Sequence, residues 1–290
     1  RLTMSQTADG PNGISANCIK LDCTTADTSI AAGEFLILSH RLEGQNIQRI
    51  GKGVAGAKQT TLSFYVKASA GFTFGCELAD IDHSRQVTKL FDTTTDWVRH
   101  ELTFPADVDD GSSPFGDDNA LSLIINFWLH AGSTYTSGTL NTTSFANFTS
   151  ANRAVGIDSF YSNTANNFFI TGVQLEVGPV ATEFEQEDIS TTLAKCQRYY
   201  QKWLSDSVGD SVMTAAAISD VAFIGDYFLK TSMRSVPTIG TSGTYKARLK
   251  TNDRAITGQP SINRATTENV QIFATIATDN NESGFAGFLK

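Results

Sequence analysis

Gly51-Lys52-Gly53-Val54-Ala55-Gly56 has the G-x-G-x-x-G spacing of a dinucleotide-binding turn. Such a turn works by opening a helix, whose N-terminal N–H groups hold a pyrophosphate. Here it runs instead into Leu62-Ser63-Phe64-Tyr65-Val66-Lys67, an alternating strand pattern, so a flexible hairpin loop is expected. Ala57 stands where a P-loop needs lysine. The acidic run Asp107-Val108-Asp109-Asp110-Gly111, with Asp117 and Asp118 beyond it, could supply oxygen ligands to a structural calcium ion. It lacks EF-hand spacing, because Ser112 takes the glycine position and no glutamate closes the loop. A solvated acidic loop is the favoured reading, and no cofactor or resident metal is expected.

Nucleophile and acid–base chemistry find little support. His40, His83, His100 and His130 are dispersed, with no H-x-x-x-H spacing for zinc. No G-x-S-x-G elbow is present. Glu77 and Glu101 are candidates for a glycan-cleaving carboxylate pair, but nothing in their spacing singles them out. The expectation is a protein that is not an enzyme. Four cysteines are too few for a disulfide scaffold of this length; a Cys18–Cys23 bridge is one reading and free buried thiols the favoured one. Lys246, Arg248 and Lys250 alternate along a strand pattern and so share a face. They suit an anionic surface such as lipopolysaccharide or another subunit, or else protection of an edge strand.

The 290 residues carry 22 basic and 30 acidic side chains, a net charge of −8, which argues against nucleic acid as a partner. No apolar run is long enough for a membrane helix, so no membrane insertion is expected. Residues 1–185 hold 11 basic and 20 acidic residues and residues 186–290 hold 11 and 10, a shift that marks a domain boundary.

Leu62–Lys67, Phe72–Leu78, Trp97–Phe104, Leu121–His130 and Phe168–Val177 read as strands separated by turn residues. In the last of these, Phe169, Thr171, Val173, Leu175 and Val177 share a face. The stretches 107–119 and 132–153 read as loops at the ends of a sandwich. From Ile189, apolar residues recur at spacings of three and four, giving a helix of about four turns with Ser190 or Thr191 as N-cap. Further strands are expected over 212–219, 222–231, 244–250, 270–277 and 284–289. The fold class is mainly β: an antiparallel jelly-roll β-sandwich over 1–185, a connecting α-helix over 186–206, and a smaller β-rich domain over 207–290.

Gly172-Val173-Gln174-Leu175-Glu176-Val177-Gly178, then Ala181-Thr182-Glu183-Phe184-Glu185, Cys196-Gln197-Arg198-Tyr199-Tyr200 and Met233-Arg234-Ser235-Val236-Pro237-Thr238 occur in this order. The series resembles phage tail-appendage proteins, with Glu183 where proline is common. The resemblance implies a domain similar to carbohydrate-binding modules within a virion fibre, on the tail or attached to the capsid. Its partners would be itself as a homotrimer, other virion proteins and a host-surface glycan. The alternative is a non-catalytic carbohydrate-binding module of a secreted glycan-degrading system.

Two residue sets carry these expectations. Leu193, Cys196, Tyr200, Trp203 and Leu204 form a helical stripe for oligomer or domain packing. If Leu121, Leu123, Ile125, Phe127 and Leu129 point inward, Asn126, Trp128 and His130 point outward, joined by Tyr65 and Glu77 on neighbouring strands. An aromatic ring beside amide, imidazole and carboxylate groups suits a sugar. The competing expectation is that a loop or another subunit covers Trp128.

Overall fold

The computed structural model describes residues 1–108, 114–202, 213–219, 221–242, 245–249, 252–276 and 286–289. The chain divides into two compact units, Arg1–Gln186 and Glu187–Lys290.

The first unit contains ten strands: β1 (Leu2–Thr7), β2 (Cys18–Cys23), β3 (Phe35–Glu43), β4 (Thr60–Ala68), β5 (Thr73–Asp80), β6 (Arg85–Asp92), β7 (Val98–Phe104), β8 (Leu121–Ala131), β9 (Ala146–Asn147) and β10 (Asn167–Val177). They form two five-stranded sheets, β1-β2-β10-β4-β7 and β3-β8-β5-β6-β9, with every pairing antiparallel. This is a jelly-roll β-sandwich. Alternation explains the core, because every second side chain of a strand faces the opposing sheet. Leu62, Phe64 and Val66 of β4 meet Phe74, Cys76 and Leu78 of β5 and Leu123, Ile125, Phe127 and Leu129 of β8, all buried. Phe64 lies edge-on to Phe91 and Phe127 at centroid distances of 5.1 and 5.0 Å, the arrangement that ring quadrupoles favour.

β10 corrects one sequence expectation. Its pairing with β4 jumps from Thr171↔Tyr65 to Gln174↔Ser63, so Gly172 and Val173 stand opposite Phe64 alone. Gly172 adopts φ +59°, the left-handed conformation that accommodates such a bulge. The extra residue inverts the alternation. Phe168 and Ile170 face the core before it and Leu175 after it, rather than one set from Phe169 to Val177. Gln174 and Glu176 are thereby turned outward. The Gln174 side chain donates to Thr182 Oγ1 and the Glu183 carbonyl, and accepts from the Glu185 N–H. Glu176 accepts from the N–H and hydroxyl of Thr182. The two halves of the motif, Gly172–Gly178 and Ala181–Glu185, thus hold each other.

The second unit contains α2 (Ile189–Gln197) and strands β11 (Met213–Ala217), β12 (Ala222–Phe228), β13 (Lys246–Leu249), β14 (Asn252–Ala255), β15 (Ser261–Ala265), β16 (Asn269–Thr275) and β17 (Ala286–Leu289); the label α1 belongs to a short helix of the first unit, Ser133–Thr136. Its sheet runs β14-β13-β17-β11-β12-β16-β15. Met213, Phe223, Val270 and Ile272 lie in its core. β13 is paired on both sides, so Lys246 and Arg248 lie on an interior strand and not on the edge strand considered from sequence, and Lys250 lies outside the described residues.

The helix is shorter than expected, ending at Gln197. Its N-cap is Asp188, whose carboxylate accepts from the Ser190 N–H at 2.8 Å, rather than Ser190 or Thr191. Leu193, Cys196 and Tyr200 are exposed, and Trp203 and Leu204 lie outside the described residues.

Candidate functional site

Alternation places Asn126, Trp128 and His130 of β8 on the side of their sheet facing away from the core, with Glu77 of β5. Glu77 lies directly opposite Asn126, and Ser39 of β3 opposite Asn126 on its other side. The row is hydrogen-bonded throughout: Ser39 Oγ donates to Asn126 Oδ1 at 2.6 Å, and Asn126 Nδ2 donates to Glu77 Oε2 at 2.9 Å. Trp128 Nε1 donates to the same carboxylate oxygen at 3.0 Å. Three of the five residues expected to form a ligand face therefore share one network.

The expected exposure is corrected. Glu77 and Trp128 are completely buried, and Asn126 and His130 are nearly so. The stretch 132–153, expected as a loop at the end of the sandwich, instead adds β9 to the edge of this sheet and, with the residues that follow it, brings side chains over this face. The Asp158 N–H donates to the Thr73 carbonyl, and Thr88 Oγ1 donates to the Arg153 carbonyl. His130 Nδ1 lies 2.8 Å from Ser159 Oγ, with the Tyr161 ring edge-on to the imidazole at 5.1 Å. Burial lowers the His130 pKa below the ordinary histidine value, with Glu34 and Asp27 opposing that shift. An indole that the sequence offers as an open platform is buried because apolar aromatic area gains most when a covering segment removes it from water.

Arg153 completes the cluster. Its Nε and Nη2 donate to Glu77 Oε1 and Oε2 at 2.8 and 2.7 Å, the fork geometry that suits a carboxylate. Its guanidinium carbon lies 5.0 Å from the Trp128 ring centroid and 5.2 Å from that of Phe148, so the cation sits between two aromatic rings. Tyr135 of α1 and Phe35 of β3 also lie against Trp128, at 5.2 and 6.1 Å between centroids. Phe35 and Phe148 keep much of their rings in solvent. Sequence reading missed Arg153, Phe35, Tyr135 and Phe148. One signal was present: Arg153 is the one basic residue between Arg99 and Lys195.

Tyr65 is not part of this group. It belongs to the other sheet, on β4, where Arg99 Cζ lies 6.0 Å from its ring. On that face Lys67 pairs with Asp9 at 2.7 Å and lies over the rings of Phe169 and Trp97. Glu77 and Glu101 likewise stand on different sheets, and Glu101 pairs with Arg99.

The glycine-rich segment 51–56 opens no helix. Gly51 and Gly53 adopt positive φ and turn Lys52 into the end of the sandwich, where its Nζ lies 2.8 Å from Asp80 Oδ2 with both side chains buried. Arg85 pairs with Asp107 beside it, at 2.9 and 2.8 Å. Asp107 of the acidic run is therefore committed to an arginine, while Asp109 and Asp110 lie outside the described residues. Among the described residues, Asp80, Asp82 and His83 bring metal-ligand atoms together, but the Lys52 ammonium already supplies the cation at Asp80. Cys18, Cys23, Cys76 and Cys196 are all free thiols, so the Cys18–Cys23 bridge is not formed.

No protein-family model matches the chain, and no curated protein matches it. Among solved structures it is similar to the CBM22-1 xylan-binding domain of Paenibacillus barcinonensis Xyn10C, at 12% identity over 62% of this chain and 83% of that one, with a TM-score of 0.31. It is also similar to a family 11 carbohydrate-binding module from Clostridium thermocellum in complex with a β-1,3-1,4-mixed-linked tetrasaccharide, at 14% identity, 62% and 86% coverage and a TM-score of 0.29. A family 30 carbohydrate-binding module matches at 14% identity, 66% and 81% coverage and a TM-score of 0.31. These scores are low, and the fold class rests on the strand order and register described above.

Proposed function

We propose that this chain is a non-catalytic glycan-binding protein. One observation carries the reading: one buried cluster ends in two exposed aromatic residues, Phe148 against Arg153, whose charge is matched by buried Glu77, and Phe35 against Trp128. Apolar rings beside fixed polar groups suit the C–H face and the hydroxyls of a sugar. The site combines Phe35, on the sheet's edge strand β3, with Phe148 and Arg153 of the segment that follows β8. A glycan array probed with the wild type and with the Phe35→Ala/Phe148→Ala double variant tests it. Binding by the wild type alone, at equal melting temperatures, is the expected result; equal binding by both removes this site.

The finer reading is a phage virion appendage, a homotrimer that engages a host-surface glycan. Its support is the sequence resemblance over residues 168–238, where the Gln174 and Glu176 bonds give the two motif pieces a physical reason to occur together. Light scattering is expected to give three times the 31.3 kDa chain mass, and immunogold labelling to mark phage particles. A 31.3 kDa monomer that labels no particle favours the alternative, a module of a secreted glycan-degrading system.

A further inference from the structure

Asn12-Gly13 is the one Asn-Gly pair in the chain. It lies in a turn between β1 and β2, and both residues are exposed. Around the pair the backbone is held: the Ile14 and Ser15 N–H groups donate to the Pro11 carbonyl, and the Gly10 N–H donates to that of Ala16. The pair itself is not held in this way. The Asn12 side chain makes no hydrogen bond among the described residues, whereas those of Asn126, Asn152, Asn163 and Asn166 are all engaged. The Gly13 N–H likewise has no acceptor. Gly13 adopts φ +79°, and a Cβ placed on it would meet nothing within 4 Å, so this residue stands in open space. Its carbonyl, by contrast, is gripped. Gln186 Nε2 donates to the Gly13 and Ile14 carbonyls at 3.3 and 2.8 Å, and Gln186 is the last residue of the first unit.

We infer that Asn12 is a site of spontaneous covalent modification, and that the modification releases Gln186 from this turn. The Gly13 nitrogen gives up its proton to hydroxide and attacks Asn12 Cγ. A Gly13 N–Cγ bond forms, the Cγ–Nδ2 bond breaks, and ammonia leaves with its third hydrogen taken from water. Glycine offers the least hindered nitrogen for this closure, because it carries no side chain. Water then opens the five-membered succinimide at either carbonyl. One product is aspartate; the other is isoaspartate, whose main chain runs through the former side chain and is one carbon longer. That extra carbon lies directly before Gly13 and shifts the carbonyl that Gln186 holds.

The test holds the whole chain at 37 °C in heavy-oxygen water at pH 6 and pH 9, then maps its peptides by mass. The peptide containing Asn12 is expected to gain about 3 Da, faster at pH 9, as two separable isomers. Amide exchange at Gln186 is expected to quicken in the isoaspartyl fraction relative to fresh protein. Asn12→Gln, whose longer side chain must close a six-membered ring, is expected to gain no mass over the same period and to keep the exchange of fresh protein. Fresh Asn12→Asp, which adds the charge without the extra carbon, is expected to keep it too. Three results overturn the inference: an unmodified Asn12 under conditions that convert a synthetic peptide of residues 10–17, modification with unchanged exchange at Gln186, or equally fast exchange in fresh Asn12→Asp.

Discussion

The Glu77 carboxylate receives two hydrogen bonds from Arg153 and one each from Asn126 and Trp128 in a fully buried position. Removing one partner of a buried ion pair leaves the other charge uncompensated. Arg153→Ala is therefore expected to destabilise the first unit by about 3–5 kcal/mol, measured by urea denaturation. The double variant Glu77→Gln/Arg153→Met, which leaves no charge behind, is expected to lose less. His130 gives a pH dependence. Its pKa is lowered in the folded state, chiefly by burial, so the unfolded chain takes up a proton first as pH falls. The His130 contribution is fully present above the ordinary histidine pKa of 6.5 and is lost as pH drops through the lower folded value. Melting temperatures between pH 7.5 and pH 5 are expected to fall less for His130→Gln than for the wild type.

The bulge in β10 decides which side chains reach the chain's path out of the sandwich. Gly172→Ala is expected to cost about 1–2 kcal/mol, because a left-handed conformation crowds Cβ. The new methyl would also stand 3.0 Å from Tyr65 Cδ2 and 3.1 Å from Ile14 Cγ2. Gln174→Ala removes three hydrogen bonds and is expected to raise amide exchange across residues 182–185 without unfolding the core. The bulge also marks where the sequence stops being legible. Leu62–Lys67, Phe72–Leu78 and Leu121–His130 announce their faces because strict alternation is a local signal. β1 and β3 give no such signal, since exposed or half-exposed edge strands carry mixed side chains. In β10 a single inserted residue inverts a pattern that counting in twos reads as continuous. At the site, alternation across paired strands was enough to group Asn126, Trp128 and Glu77. Arg153 lies 76 residues from Glu77 in the chain, and no periodicity connects positions joined only by a covering layer.

Each of the two units has its own buried cluster, one built on β4, β5 and β8 and the other on β11, β12 and β16. Residues 1–186 expressed alone are expected to melt in one cooperative transition, and calorimetry of the whole chain to resolve two. A stable truncated chain lets the glycan-array comparison of the wild type and the Phe35→Ala/Phe148→Ala variant be repeated without the second unit. The thiols add a chemical clock to this division. Cys18, Cys23 and Cys76 are buried in the sandwich and Cys196 is exposed on α2. A water-soluble disulfide reagent therefore finds one ready target per chain, and the other three become reactive only as fast as the sandwich opens. Because the unpaired thiols divide so cleanly, the native protein carries its own attachment point for a single fluorophore. The slow phase of the same labelling reaction times how often the sandwich unit breathes.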